Sequence, residues 1–294
     1  MTIQNPVTQL LLPLAIVFVM FALGTTLTVG DLRRMLVRPK AFVVGLVAHG
    51  LILPLLAFGV GWTLGLEPAT AVGLVIIAAC PANAMASLFT HFARGDTMLA
   101  VCLSAAASLL SSATVPLFVN QALRLFAAGP ATARLPVFTS ALGLFLIATL
   151  PVLVGMRLRR ERPAAAARVE ASIGTLGIAL ILVVIAAAVW SERESVGPAL
   201  ARAGAPALLL NVLAVALAWG LGAAAGLPRA QRVAVGLECG LQNFALAAFV
   251  CLTLLDDKTL LLPAIAYGLT MWLSAIGVVL LARHRPSAAP PEAS

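Results

Sequence analysis

The sequence predicts an all-α polytopic membrane protein with about nine transmembrane helices. Hydrophobic residues make up 62% of the 294 residues and charged residues only 10%, whereas soluble domains are about half apolar and a quarter charged. The apolar residues form runs long enough for a helix to cross a bilayer, which takes about 20 residues. The net charge of +8 comes from basic clusters between those runs, a pattern that indicates loops facing anionic lipid rather than nucleic acid.

The apolar segments follow one another through short connections. They span approximately residues 8–29, 41–63, 68–93, 96–122, 136–156, 170–190, 204–226, 232–254 and 259–282. The first run has no positive charge before it and ends at Asp31 and Arg33, which predicts a spanning helix rather than a cleaved signal peptide. Residues 283–294 are rich in Pro, Ala and Ser, and we expect them to form a disordered cytoplasmic tail.

The orientation follows from Lys and Arg, which accumulate in the cytoplasmic loops of membrane proteins. With nine spans and the first loop in the cytoplasm, 14 of the 19 basic residues fall on the cytoplasmic side. An even number of spans would scatter the later basic loops over both sides. We therefore expect the N-terminus outside and the C-terminus in the cytoplasm.

Two apolar segments are interrupted at matching positions. The third is broken at residues 80–83 (Cys-Pro-Ala-Asn), and the eighth at residues 238–243 (Glu-Cys-Gly-Leu-Gln-Asn). Each is the third segment of a possible repeat, and the two run in opposite directions across the membrane. This pattern indicates an inverted-repeat transporter with its binding site at the breaks. The halves would be residues 1–125, with segments 1–4, and 126–282, with segments 5–9.

Glu238 is the acidic residue that indicates a functional site inside the membrane, because the other ten lie in loops, tails or helix ends. An ionisable side chain at membrane depth is costly without a partner and defaults to a functional role. Gln242 lies four residues further on and shares its helical face, and Asn243 comes next. A carboxylate, amide oxygens and carbonyls of an unwound stretch form a hard oxygen site that suits Na⁺. A protonated Glu bonded to neighbouring backbone is the structural alternative.

The first break carries a weaker signal. Pro81 removes a helical N–H, and the half-helix after it would present amides that favour an anion. Asn83 and Ser87 add polar side chains there, although an ordinary proline kink explains the same pattern. His49 lies within the second segment, where a histidine is either a hydrogen-bonded structural residue or a ligand or proton carrier.

An enzyme is not indicated. The motifs GxSxG, HExxH, SxxK and the P-loop are not found where their mechanisms need them. The four cysteines lie in apolar segments without CxxC spacing, so we expect no disulfide or zinc site. An intramembrane hydrolase, with a serine from residues 104–112 and His49 as base, is a remote alternative. A channel would leave the paired breaks unexplained.

At these residues the sequence resembles the bile acid:sodium symporter family, over about residues 10–282. The likeness is carried by residues 19–24 with Leu27, by 38–40 with Leu53 and Pro54, by 80–96 and, most specifically, by 236–243. The chain resembles the nine-helix form. The resemblance implies a core domain of segments 2–4 and 7–9 that moves against a panel of segments 1, 5 and 6, with segments 3 and 8 crossing at their breaks.

The resemblance also implies two cation sites that share one glutamate. The second site would comprise Glu238, Gln242, the carbonyls of Cys239 and Leu241, and His49 where the family has glutamine. The first site departs from the family, because its serine and asparagine fall on Ala86 and Ser87 and its hydroxyl ligands on Ala100 and Ser104. We therefore expect the first site to be weakened, with Ser87 and Ser104 as its remaining side-chain ligands.

Taken together, these features predict a secondary active transporter in a bacterial inner membrane. It would carry an organic anion, such as a bile acid, a steroid-like solute or a small carboxylate, with Na⁺ by alternating access. Asn83, Ala84 and Asn243 are predicted to contact the substrate. The anion and the lipid bilayer are the expected partners, no cofactor is expected besides the coupling ion, and the oligomeric state is open. The alternative is a proton-coupled or passive facilitator with degenerate sodium sites, using Glu238 and His49.

Overall fold

The fold is helical throughout the part of the chain that the computed structural model describes. That part comprises residues 6–28, 39–127, 135–169 and 193–284, with scattered positions between 30 and 35 and between 172 and 190. Its helices are α1 Pro6–Thr25, α2 Pro39–Thr63, α3 Pro68–Ala79, α4 Met85–Phe92, α5 Thr97–Phe126, α6 Val137–Glu161, α7 Arg193–Ala224, α8 Arg229–Gly240, α9 Phe244–Leu254 and α10 Leu261–His284.

Eight of the nine predicted segments coincide with these helices, and the third and eighth are each split into two. The first helix ends at Thr25, four residues before the predicted boundary, and its last turn closes with the tighter backbone bonds from Thr26 to Leu23 and from Leu27 to Gly24. The seventh is helical from Arg193, where the described residues resume, so it extends at least 11 residues before the predicted boundary. The sixth segment, 170–190, and the tail beyond 284 lie largely outside the described residues, so the count of nine stays a prediction.

The outer faces of the long helices are apolar. Five stretches are long and apolar enough to cross a bilayer: α2, α5, α6, Leu200–Ala224 of α7 and Leu261–Arg283 of α10. Large apolar side chains on them point outward, with Trp62 71% and Leu281 72% exposed. Such surfaces are stable against lipid and costly against water, so the chain is a multi-pass membrane protein.

Two long helices contain a π-turn that ends two residues before a proline. The turn Ala48–Ile52 precedes Pro54 in α2, and the turn Phe145–Thr149 precedes Pro151 in α6. Proline lacks an N–H and its ring crowds the carbonyl four residues earlier, so a locally widened turn lets the helix continue. The widened turn of α2 carries His49, which is buried in the interior.

Helices α1 and α6 pack closely through glycine. A methyl group on Gly24 would collide with the carbonyl of Val152, and one on Gly155 with the carbonyl of Phe21. Two backbones can approach this closely only where side chains are missing, as at small-residue interfaces in membranes. The pair α1–α6 therefore behaves as one packed unit.

The split helices lie at the centre of the bundle. In α3 the run from Thr70 to Ala79 is buried, and in α8 the run from Val233 to Gly240 is buried. Helix α5 packs against α3, α4, α6 and α8. The two chain breaks are thus enclosed by other helices rather than exposed to lipid, which is where non-helical backbone is tolerated in a membrane.

Candidate cation and substrate site at the helix crossing

The two breaks lie side by side and pair through their backbones. Ala82 and Gln242 form an isolated antiparallel bridge. The amide of Asn83 donates to the carbonyl of Leu241 at 3.0 Å, and the amide of Asn243 donates to the carbonyl of Pro81 at 2.8 Å. This reciprocal pairing satisfies backbone groups that the interrupted helices leave without partners. The sequence breaks therefore form a single crossing at the centre of the bundle.

Each break ends in an asparagine that begins the next half-helix. The Oδ1 atom of Asn83 accepts from the amide of Met85 at 2.9 Å, and that of Asn243 accepts from the amide of Leu246 at 3.1 Å. Capping of this kind satisfies first-turn amides that the start of a helix leaves without partners. Asn83 is half-buried and its Nδ2 also donates to the carbonyl of Gln242 at 3.2 Å.

Glu238 lies in the last turn of α8 and is 2% exposed. The hydroxyl of Ser104, on α5, lies 3.0 Å from its Oε1 and 2.9 Å from its Oε2. The ion pairs Arg157–Glu161 and Arg202–Glu67 lie at the surface. Glu238 thus has a hydroxyl rather than a cationic side chain as its partner, and a buried carboxylate in that position calls for a cation or a proton.

Gln242 folds back over the end of α8. Its Nε2 donates to the carbonyl of Cys239 at 2.9 Å, while its Oε1 is buried and accepts no hydrogen bond. An unsatisfied carbonyl oxygen in the interior is costly, so a ligand that accepts its lone pairs would stabilise it. Either a cation or a hydrogen-bond donor would satisfy this oxygen, and the buried carboxyl group of Glu238, four residues earlier in the chain, favours a cation.

His49 bridges the two split helices. Its Nδ1 lies 3.2 Å from the carbonyl oxygen of Glu238, and its Nε2 lies 3.0 Å from that of Cys80. A neutral imidazole carries one N–H and can donate to only one of these carbonyls, whereas a protonated ring can donate to both. His49 is therefore a structural link across the crossing, and the link is complete only when the ring is protonated.

The donor atoms fit Na⁺ as a coupling ion. The carboxylate of Glu238, the hydroxyl of Ser104, the Oε1 of Gln242 and the carbonyl of Cys239 are hard oxygen ligands. The Cys239 carbonyl accepts from Gln242 Nε2 at 2.9 Å and from the Tyr267 hydroxyl at 3.5 Å. The Leu241 carbonyl accepts from the amide of Asn83 and has a second lone pair. Helix ends add negative potential here, because α3 and α8 both terminate at the crossing.

The other predicted site residues are less closely connected. The hydroxyl of Ser87 donates to the carbonyl of Ala84, three residues earlier, so the structure does not join it to Glu238. Ala86 and Ala100 are fully buried, and methyl groups stand where the family resemblance expects ligands. Ala84 precedes the first residue of α4 and is half-buried, next to Asn83.

Two residues at the crossing were missed by the sequence reasoning. Asn211 on α7 donates to the carbonyl of Gly240 at 2.7 Å, and the hydroxyl of Tyr267 on α10 donates to the same carbonyl at 3.2 Å. Both are fully buried. The signal was present, since Asn211 is an amide inside an apolar segment and Tyr267 is the single tyrosine of the chain. They hold the end of α8 from two neighbouring helices.

The outer faces of the bundle are apolar, and two interrupted helices meet at its centre. These features define the class of the protein, which is a multi-pass membrane protein with the architecture of a secondary transporter. The pattern of the Sodium Bile acid symporter family matches residues 13–198. The chain belongs to this family, and the resemblance seen in the sequence is confirmed.

Similar proteins are named as transporters. A probable chloroplastic sodium/metabolite cotransporter from Oryza sativa subsp. japonica is 25% identical over 91% of this chain and 62% of its own length. An uncharacterized sodium-dependent transporter from Bacillus subtilis (strain 168) is 28% identical over 78% of this chain and 70% of its own. The mouse ileal sodium/bile acid cotransporter is 26% identical over 84% of this chain and 70% of its own length. The chain thus belongs to a family of sodium-dependent transporters, and it spans about three fifths of the rice relative.

Proposed function

We propose that the protein is a symporter that carries an organic anion together with Na⁺, with Glu238 as the central cation ligand. The observation that carries this proposal is the buried carboxyl group of Glu238, which has the Ser104 hydroxyl as its partner beside the unpartnered oxygen of Gln242. A buried charge with no counter-charge is strongly destabilising, so cation binding there is favourable. The family membership supports Na⁺ as that cation.

The cation joins separate parts of the bundle. Ser104 belongs to α5, Glu238 to the end of α8, and Gln242 to the break that follows it. A sodium ion held by all three would tie α5 to the second break, in addition to the backbone pairing with the first break. Without the ion, a charged Glu238 and the unpartnered Gln242 oxygen would favour separation of these elements.

The substrate would bind on the other side of the two paired backbone segments, residues 81–83 and 241–243. Asn83 and Asn243 flank the paired residues. Helix α4 begins two residues after Asn83 and α9 directly after Asn243, and the start of a helix favours an anion. Ala84 offers a small side chain beside Asn83. The substrate class we propose is a bile acid, a steroid-like solute or a small carboxylate, in keeping with the names of the relatives.

The coupling between cation binding and substrate binding would follow from these paired backbone segments. The carbonyl of Leu241 is a candidate cation ligand and accepts from the amide of Asn83, a candidate substrate contact. A cation at residues 238–242 would therefore set the position of Asn83 and Asn243. We further propose alternating access between a core of predicted segments 2–4 and 7–9 and a panel of segments 1, 5 and 6. The N-terminus would lie outside and the C-terminus in the cytoplasm of a bacterial cell.

A second candidate function is proton-coupled transport of the same anion. The observation that favours it is His49, which faces two carbonyl acceptors and satisfies both only as an imidazolium. A protonated His49 would repel Na⁺ from the same site. Uptake that requires Na⁺ and does not vary between pH 5 and pH 8 would contradict this second function.

The first test is thermal unfolding of the purified protein in NaCl and in choline chloride at matched ionic strength. A ligand that binds only the folded state raises its stability by mass action. We expect Na⁺ to raise the melting temperature of the native protein and to have no effect on Glu238→Gln. Equal stability of the native protein in both salts at pH 6 and pH 8 would refute the sodium site.

A further inference from the structure

The last carbonyls of α8 are held by side chains from other helices. Gly240 ends the helix, and its carbonyl accepts from Nδ2 of Asn211 at 2.7 Å and from the hydroxyl of Tyr267 at 3.2 Å. The same hydroxyl lies 3.5 Å from the carbonyl oxygen of Cys239. The last four carbonyls of a helix have no partner within that helix. Asn211 on α7 and Tyr267 on α10 therefore supply hydrogen bonds that the end of α8 cannot form by itself.

Gly240 lies between two candidate cation ligands, the carbonyls of Cys239 and Leu241. A methyl group on Gly240 would lie 2.7 Å from Cγ2 of Val215, so the close approach of α7 leaves room only for glycine. Glycine has the widest choice of backbone angles and would otherwise be the most mobile link between the two ligands. Its carbonyl belongs to the planar peptide group that it shares with Leu241. Holding this carbonyl therefore restrains the positions of both neighbouring ligands.

Asn211 keeps a polar side chain in the interior at a cost in stability. Its Oδ1 is buried and accepts no hydrogen bond from the part of the chain that the structure describes. A buried acceptor without a partner is destabilising, whereas a leucine of similar size would carry no such cost. A local violation of this kind is expected at functional sites. The bond from Nδ2 to the Gly240 carbonyl is the feature of Asn211 that accounts for it.

The hydroxyl of Tyr267 is shared between two acceptors. O–H···O hydrogen bonds are usually about 2.7–2.8 Å long, and the distances from this hydroxyl to the carbonyls of Gly240 and Cys239 are both longer. One hydroxyl proton cannot serve both carbonyls fully. When a cation binds the Cys239 carbonyl, the hydroxyl can stay with Gly240. The end of α8 then keeps its position while one ligand carbonyl turns to the ion.

We propose that Asn211 and Tyr267 are positioning residues that set the size of the second cation site, and with it the preference for Na⁺ over Li⁺ and K⁺. This inference rests on the proposed function. Cation size is discriminated by the spacing and rigidity of the oxygen ligands. That spacing is fixed at residues 239–241 because the Gly240 carbonyl is held from two helices. Glu238 supplies the attraction for any monovalent cation, and its charge does not distinguish one from another.

The test is a cation series measured by thermal unfolding of the full-length protein in detergent. The native protein, Tyr267→Phe and Asn211→Leu are titrated with LiCl, NaCl and KCl, with choline chloride keeping the ionic strength constant. We expect each substitution to raise the half-saturating Na⁺ concentration about three- to ten-fold, the effect of losing one hydrogen bond. A loosened site can close on Li⁺ or widen for K⁺, so their values should change less. The preference for Na⁺ should therefore fall about three-fold or more.

A purely structural role gives a different result. It would lower the melting temperature in choline chloride and leave the ratios of the half-saturating concentrations unchanged, which overturns the proposal. Ser274→Ala is the matched control, because Ser274 is on α10 and its hydroxyl donates to the carbonyl of Met271 within that helix. An equal change of the ratios in this control also overturns the proposal. If Asn211→Leu does not fold, Tyr267→Phe, which removes a single oxygen, carries the test.

The native protein separates this inference from the proposed function. Stabilisation by Na⁺ with the same cation ratios in both variants refutes only the positioning role, and so does equal stabilisation of the native protein by all the alkali chlorides. Stabilisation by Li⁺ or K⁺ but not by Na⁺, with ratios that shift in Tyr267→Phe and Asn211→Leu, refutes only sodium coupling. A native protein that responds to none of these cations refutes both.

Discussion

Ser104 and Glu238, 134 residues apart in the chain, meet in the interior, where the serine hydroxyl lies 2.9 and 3.0 Å from the two carboxylate oxygens. One hydroxyl can donate a single proton, so it shares that proton between two acceptors and leaves most of their lone pairs unused. Ser108, one turn further along α5, donates to the carbonyl of Ser104 and holds that turn of the helix. Ser104 and Glu238 are therefore positioned to bind a cation together, because their mutual hydrogen bond does not satisfy all of their oxygen lone pairs.

Replacing Glu238 by glutamine should abolish the response to sodium. The amide keeps the size of the side chain but removes the charge that attracts the ion. At a free Na⁺ concentration of about 100 times Kd, binding stabilises the folded native protein by ~2.7 kcal/mol, and this gain should vanish in the variant. Thermal unfolding in NaCl and choline chloride measures it. Glu161→Gln is the control, since Glu161 pairs with Arg157 at the surface, and it should respond to Na⁺ as the native protein does.

Replacing Ser104 by alanine should weaken the sodium response without removing it. A hydrogen bond to a charged group is worth about 1.5–3 kcal/mol, so we expect the half-saturating Na⁺ concentration to rise roughly ten-fold or more. Ser104→Thr keeps the hydroxyl and should lie closer to the native value. Ser108→Ala is the matched control on the same helix. A larger effect of Ser108→Ala on Na⁺ affinity would show that the helix rather than the hydroxyl is responsible.

Replacing His49 by glutamine should strengthen the dependence on sodium. The ring bridges the carbonyls of Glu238 and Cys80, and its protonated form competes with the cation. A glutamine donates to one carbonyl and brings an oxygen to the site, so the half-saturating Na⁺ concentration should fall. Any variation of uptake between pH 5 and pH 8 should also become smaller. His91→Gln, at an exposed position in α4, should change neither quantity, and a similar response from it would contradict the role of His49.

Replacing Asn83 by aspartate should separate substrate binding from cation binding. The carboxylate can still cap the amide of Met85, but it cannot donate to the carbonyl of Gln242, and it places a negative charge beside the proposed anion site. We expect anion uptake to fall at least ten-fold while the Na⁺-dependent stabilisation persists. Uptake of a bile acid into proteoliposomes gives the first quantity.

Asn120→Asp is the matched control for that experiment. Asn120 also uses both amide atoms, donating to the carbonyl of Leu135 and accepting from its amide, but it lies at the far end of α5. Loss of stability in this control without loss of anion uptake is the expected pattern. Comparable uptake defects in Asn83→Asp and Asn120→Asp would place the effect in folding rather than in the substrate site.

Replacing Gly24 or Gly155 by alanine should destabilise the protein because α1 and α6 approach at these positions. Each new methyl group would meet a backbone carbonyl of the other helix, which cannot move as a side chain can. We expect a loss of about 1–3 kcal/mol, as in other overpacked interiors. Gly59→Ala in α2 is the control, because the space around Gly59 is open. Denaturation that leaves Gly24→Ala as stable as Gly59→Ala would contradict the close packing.

Much of the architecture could be predicted from local sequence. The apolar runs correspond to helices because lipid accepts only segments whose backbone groups are bonded internally. The breaks at residues 80–83 and 238–243 were visible because proline, glycine and polar side chains interrupt otherwise apolar helices. Glu238 stood out for the same reason, as the acidic residue deep within an apolar segment. Boundaries were less accurate, as at Arg193, because interfacial residues form helix as readily as loop.

The contacts between distant residues could not be predicted in this way. Four serines lie between positions 104 and 112, and their periodicity does not say that Ser104 reaches Glu238. Asn211 and Tyr267 were missed because their roles depend on where α7 and α10 pass the end of α8. Ser87 was expected at the cation site, yet it bonds to the carbonyl three residues before it, a local alternative that serine takes readily in helices.

The sequence by itself determined that this protein lies in a membrane, that two of its helices are broken, and that one buried acid lies at a break. Those features depend on composition and on residues close together in the chain, where the solvent and the geometry of one helix are sufficient reasons. The tertiary structure decided that the breaks pair with each other, that Ser104 and His49 meet the end of α8, and that Gln242 keeps an oxygen without a partner. These are contacts between helices, and they exist only when the packed bundle brings distant positions within hydrogen-bond distance.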